Sequence, residues 1–148
     1  DSDSRKSSSN SPETKQLVVR IFSFSFHRDG TPKDESGNGG GFVFDSRSVP
    51  NPGREDRFKP LTGKDAPVIE YLNQQEGVRE FLVHSTSLVD ASISNYQKRG
   101  FTNLMISYGC TGGRHRSVYF AEQLAKHLSN RKDLQVLVRH LELEKGAK

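Results

Sequence analysis

Apolar and polar positions alternate along Leu17 to Phe26. Val18, Arg20, Phe22, Phe24 and Phe26 fall on one side and Val19, Ile21, Ser23 and Ser25 on the other, which predicts a β-strand. A row of phenylalanines on a strand suits either a hydrophobic core or a base-stacking platform for RNA. The core is the better reading, since burying each ring contributes roughly 1.5–3 kcal/mol. Phe42-Val43-Phe44 predicts a short second strand, Thr102 to Tyr108 a third around the apolar run Leu104-Met105-Ile106, and Leu134 to Leu141 a last one.

Between the strands the period changes to that of a helix. Asp65 is placed as an N-cap, with Pro67 in the first turn of a helix from Ala66 to about Gln75, and Gly77 is expected to break it. Val78, Leu82, Ser85, Val89, Ile93 and Tyr96 then recur at three- and four-residue steps, as one helix or as two broken near Ser85 to Ser87, with Gly100 as the residue after the C-cap. Val118, Ala121, Leu124, Ala125 and Leu128 mark the buried stripe of a further helix running to about Asn130. Strands that alternate with helices predict a small single α/β domain, a mixed or mostly parallel sheet of about four strands flanked by helices. The segments 27–41 and 54–60 read as loops, and Glu142 to Lys148 as a charged tail.

Composition changes this picture at one end. Only 32% of the 148 residues are apolar, and residues 1–15 contain no Ala, Val, Ile, Leu, Met, Phe, Tyr or Cys. Residues 1–15 are therefore expected to be a flexible Ser-rich tail or linker, and residues 16–148 the folded domain. The single methionine is Met105, so Asp1 reads as a start within a longer protein, with an upstream domain, or as an engineered start. Net charge is +4, which permits a nucleic-acid or phosphorylated partner without demanding one. Cys110 is the only cysteine, which excludes an intrachain disulfide and a Cys-rich zinc site and fits a reducing cytoplasm. No apolar run approaches the ~20 residues of a membrane span. His27, His84, His127 and His140 are scattered with no metal-ligand spacing, so no metal is expected, and no cofactor either. Arg79, Lys98, Arg99, Arg131 and Lys132 offer a basic surface for RNA or an ordinary solvated face.

The chemistry gathers at Gly109-Cys110-Thr111-Gly112-Gly113-Arg114-His115-Arg116-Ser117, between the third strand and the helix that follows. A glycine-rich turn leading into a helix N-terminus leaves backbone N–H groups without intrachain partners, and these attract anions. Arg114, His115 and Arg116, expected in the first helical turn, oppose the helix dipole there unless an anion lies among them. Asp45 and Arg47, just past the second strand, form either a capping pair or part of a ligand site at the strand ends.

Two chemistries compete for this turn. Cys110, five intervening residues, Arg116 and Ser117 satisfy the Cys-x5-Arg-Ser pattern of cysteine-dependent phosphatases, in which a thiolate attacks the phosphate that the arginine binds. Those enzymes usually carry a His where this chain has Gly109, and Asp29 and Asp45 are the candidates for a general acid. The other chemistry is binding alone. The fuller string from Gly109 to Tyr119, followed by Ala121-Glu122-Gln123-Leu124-Ala125, closely resembles the C-terminal domain of the RapZ family, the RNase adapter proteins. Further resemblances come in order: Ser23-Phe24-Ser25-Phe26 with Gly30 and Pro32, then Phe44-Asp45-Ser46-Arg47 with Val49-Pro50-Asn51-Pro52. Leu61-Thr62-Gly63-Lys64-Asp65 and Arg139-His140 before Leu143-Glu144-Lys145 complete them, so the match spans roughly Leu17 to Lys145. After Pro52 this chain carries Gly53 and Arg54 where the family usually has a histidine or an aromatic residue.

The resemblance implies a non-catalytic, regulatory ligand-sensing domain for a phosphorylated small molecule, an amino-sugar phosphate, with self-association and RNA or protein contact. By the same analogy Cys110, Thr111, Gly112, Gly113 and Arg116 hold the phosphate, with Asp45 and Arg47 reaching the rest of the ligand. Arg114, His115 and Ser117 complete the expected site. No Gly-x4-Gly-Lys-[Ser/Thr] occurs, so nucleotide hydrolysis is not assigned to this chain. An RNA-binding module is the third alternative.

Overall fold

A computed structural model describes residues 16–37 and 41–146. The tail expected at 1–15 lies outside these residues.

Nine residues, β1 (Leu17–Ser25), lie inside the sheet, buried throughout from Ile21 to Ser25 and half-buried at Val18 and Arg20. It pairs on one side with β3 (Asn103–Cys110) and on the other with β4 (Leu134–His140), while β2 (Gly41–Asp45) adds to the far edge of β3. The order is β2-β3-β1-β4, and every pairing is parallel. Parallel neighbours need long crossovers, which the helices supply. The register sets Ser25 opposite Cys110 and Asp45 opposite Gly109, so the carboxyl ends of three strands meet at one rim.

One sheet face carries Val19, Ile21, Leu104, Ile106 and Tyr108, and the helices α1 (Ala66–Asn73), α2 (Glu76–Lys98) and α3 (Arg116–Leu128) build the core with it. Val68, Leu72, Val78, Val89, Ile93, Phe120 and Leu124 are fully buried there. The other face holds Arg20, Phe22 and Met105, and the segment after β1 folds back to it through an ion pair of 2.5 Å between Arg20 and Asp34. Phe22 and Phe24 are buried, which makes them core residues and removes them as a stacking platform.

Three features differ from the sequence expectation, and one alternative it left open is decided. The break between the first two helices falls at Gln74–Gln75, and Gly77 lies inside the first turn of α2, where a helix needs no intrahelical N–H partners. α2 is one unbroken helix of 23 residues, because Ser85 keeps its hydroxyl bonded to the Leu82 carbonyl and to Tyr108 Oη. Its end is as expected: Gly100 N–H reaches the Gln97 carbonyl, Phe101 N–H reaches Tyr96, and the two rings meet edge to face at 5.1 Å. Asp65 occupies the N-cap position of α1, but its carboxylate turns back to accept the Thr62 N–H at 2.7 Å instead of capping. The expected charged tail begins with a short helix, α4 (Leu141–Lys145), held by Lys145 between Asp29 and Glu142, both at 2.8 Å.

Candidate functional site

The turn after β3 and the segment after β2 leave the same rim of the sheet and enclose a cavity of about 600 Å3. Arg47, Asn51, Arg54, Tyr71, Thr111 and Arg116 line it. The segment between β2 and α1 is shaped by two 3-10 turns, Pro52–Arg54 and Asp56–Phe58. Asn51 caps the first by accepting the Gly53 N–H at 2.9 Å.

Arg116 is the first residue of α3 and only 4% exposed. Its Nη1 donates to the carbonyls of Arg47 at 2.9 Å and Val49 at 3.0 Å, and its Nη2 donates to Thr111 Oγ1 at 3.3 Å. The guanidinium therefore ties the two sides of the cavity together. Its Nε–H is buried and has no partner among the described residues. Such a donor is costly to leave unpaired, by about 1–3 kcal/mol. Burial lowers the pKa of this guanidinium, the positive charge of Arg54 adds to that, and Cys110 and Asp45 oppose it.

Asp45 and Arg47 face each other. Arg47 donates from Nε to Oδ1 at 2.9 Å and from Nη2 to Oδ2 at 2.6 Å, and it lies over the Phe26 ring at 4.1 Å. This pair holds the Asp45 carboxyl below its ordinary pKa. Both residues are exposed at the rim; Arg47 lines the cavity, and Asp45 reaches it through Arg47.

The rest of the expected site is sorted by the turn. Thr111 and Arg116 face the cavity. Cys110 and Ser117 are buried beneath the turn and bonded to each other, the thiol donating to Ser117 Oγ at 3.2 Å. Gly113 has φ +75, and a Cβ there would lie 2.5 Å from Glu142 Cγ and 3.0 Å from Ser25 N, so its place is a packing requirement. Gly112 is exposed with open space around it. Arg114 accepts the Gly63 N–H on its carbonyl at 2.9 Å. The N–H groups of residues 111–116 make no hydrogen bond among the described residues. Only Arg116 of the basic triplet lies in the helix; His115 is its N-cap residue and Arg114 precedes it, because the turn runs two residues longer than expected.

His115 has a role that spacing does not reveal: its Nε2 hydrogen-bonds the Phe58 carbonyl at 2.9 Å. It pins the 3-10 segment to the start of α3. Gly109 has no room for the histidine of the phosphatase pattern, since a Cβ there would lie 2.4 Å from Phe24 Cζ. Asn51, Arg54 and Tyr71 were not among the expected site residues. They converge only through the fold, and the Asn-Pro pair at 51–52 is the one local signal of the turn that presents Arg54. No group of three or more His, Cys, Asp or Glu side chains able to hold a metal ion lies among the described residues. No helix there is long and apolar enough to cross a membrane.

Comparison with known proteins gives the family. Residues 17–144 match the family described as the RapZ C-terminal domain. The chain belongs to this family. A nucleotide-binding protein of Fervidobacterium nodosum is 42% identical over 132 residues, 89% of this chain and 44% of that protein. Proteins of the same description from Shewanella sp. (strain W3-18-1) and Shewanella oneidensis are 44% and 43% identical, over 88% and 87% of this chain and 43% of each relative. This RapZ C-terminal domain thus spans less than half the length of the curated relatives it matches.

Proposed function

We propose that this domain binds a phosphorylated small molecule in the cavity between the Thr111–Arg116 turn and the 47–55 segment, in a regulatory role and without chemistry of its own. The proposal is carried by the N–H groups of residues 111–116, which make no hydrogen bond among the described residues, at a cavity whose wall holds the Arg116 guanidinium. Unpaired amides at the turn and the remaining Nη2 N–H of a charged guanidinium match the oxygens of a phosphate. The printed description of the relatives, nucleotide-binding protein, supports a phosphate-bearing ligand.

The ligand class we favour is the amino-sugar phosphate that the family resemblance implies. The cavity, about 600 Å3, is large enough for one; Glu55, which lines it, and Asp45, tied to the lining Arg47, are the carboxylates near enough to meet its ammonium. We extend the proposal to self-association, to contact with RNA or protein, and to a cytoplasmic setting; the net charge of +4 favours an RNA partner over a basic one. Thermal-shift screening against sugar phosphates and nucleotides tests the binding. A ligand that fits raises the melting temperature by several degrees at saturating concentration. No shift with any of them removes the proposal.

The phosphatase alternative requires the Cys110 sulfur to reach the phosphate; here it is buried against Ser117 and also lies close enough to Arg116 to oppose the lowering of its pKa. Turnover of para-nitrophenyl phosphate that Cys110→Ser abolishes would restore that alternative.

A further inference from the structure

The cavity holds more positive charge than its own carboxylates neutralise. Asp45 is engaged by Arg47 in a bidentate pair. Glu55, also at the cavity, accepts from Arg57 Nε at 2.9 Å. Arg54 and Arg116 remain, and neither has an ion-pair partner among the described residues. Two like charges that face one cavity repel each other, and the field of Arg54 is among the influences that weaken the hold of Arg116 on its proton. An anion between them turns that repulsion into attraction.

Arg54 is not a stray surface cation. It ends a 3-10 turn fixed by the Asn51 cap, by Pro52, and by the Glu55 N–H bond to the Pro52 carbonyl at 3.0 Å. Gly53 faces the His115 ring at contact distance: a Cβ there would lie 3.4 Å from Cε1 and Nδ1. His115 in turn precedes Arg116 and holds the Phe58 carbonyl. The root of Arg54 is thus referenced to the root of Arg116 by one histidine, while its side chain is exposed and free to close over a ligand.

We infer that Arg54 is a second anion-gripping residue, and that with Arg116 it makes the cavity select a doubly charged phosphate monoester over a singly charged diester. This inference rests on the phosphate reading given above. A monoester above its second pKa, about 6, carries nearly two charges and three free oxygens. A diester carries one charge and two free oxygens, and leaves one guanidinium unneutralised. The selection therefore excludes the backbone of a nucleic acid from this cavity and admits a terminal phosphate.

The test is calorimetric titration of glucose 6-phosphate and of its methyl phosphodiester at about pH 8, where the monoester is the dianion. Wild-type protein is expected to bind the monoester at least about tenfold more tightly, as one charge-assisted pair provides. In Arg54→Ala the monoester weakens about tenfold, the diester by less than about threefold, and the preference collapses; Arg54→Lys keeps part of it. A preference that survives Arg54→Ala, in a variant with unchanged melting temperature, overturns the role of Arg54 and leaves the site standing. Failure of wild type to bind either probe overturns the site itself and this inference with it.

Discussion

The Cys110 thiol donates to the Ser117 hydroxyl at 3.2 Å, and the Ser117 N–H returns to the same sulfur at 3.4 Å. The two residues close the base of the turn from inside, and on the binding proposal the sulfur is a buried partner of Ser117. Cys110→Ala is expected to cost about 1–2 kcal/mol of stability, because a buried hydroxyl and an amide lose their partner. It should leave phosphate-ligand affinity within about threefold. Denaturant unfolding and calorimetry read the two effects separately. Strong loss of affinity without loss of stability would put the sulfur at the ligand.

The adjacent glycines are not equivalent. Gly113 has φ +75 and would press a Cβ onto Glu142 and Ser25, whereas Gly112 faces open space. Gly113→Ala is expected to destabilise by at least about 1–3 kcal/mol, from backbone strain and the clash together. Gly112→Ala should stay within about 0.5 kcal/mol. Equal melting temperatures for the two variants would contradict the geometry of the turn.

Burial pushes the Tyr108 hydroxyl up to about 12 from 10.0, with the hydrogen bond to Ser85 at 2.9 Å opposing the shift. A raised pKa means that the folded state holds its proton longer than the unfolded chain does. The stability this contributes is full below pH 10 and is lost as pH rises through about 12. Tyr108→Phe is expected to cost about 1 kcal/mol at neutral pH, through the lost hydrogen bond, and to flatten the decline of stability in that alkaline window. Unfolding measured across it, with phenolate absorbance, checks both.

Much of this was legible in the chain. The alternation at Leu17 to Phe26 and the apolar run before Tyr108 identify the two central strands, because burial on both faces leaves a composition signature. The glycine-rich turn announces a strand-to-helix junction, and Asp45 and Arg47 lie at the same rim because parallel strands end together. What was not legible depends on contacts remote in sequence. His115 acts on a carbonyl 57 positions away. The five residues of α4 lack the length for a periodic signal and are held by Asp29 across the fold. Arg54 joins Arg116 only because a turn capped by Asn51 carries it there. The motif names Cys110 and Ser117 but cannot say that they point inward.

The central claim is that Arg116 and the turn before it hold a phosphate. Titration of a sugar phosphate into wild type and Arg116→Lys tests it most directly, since lysine keeps the charge but loses the planar fork. Affinity is expected to fall at least about tenfold in the variant, with the fold retained by circular dichroism. Unchanged affinity in a folded Arg116→Lys protein would contradict it.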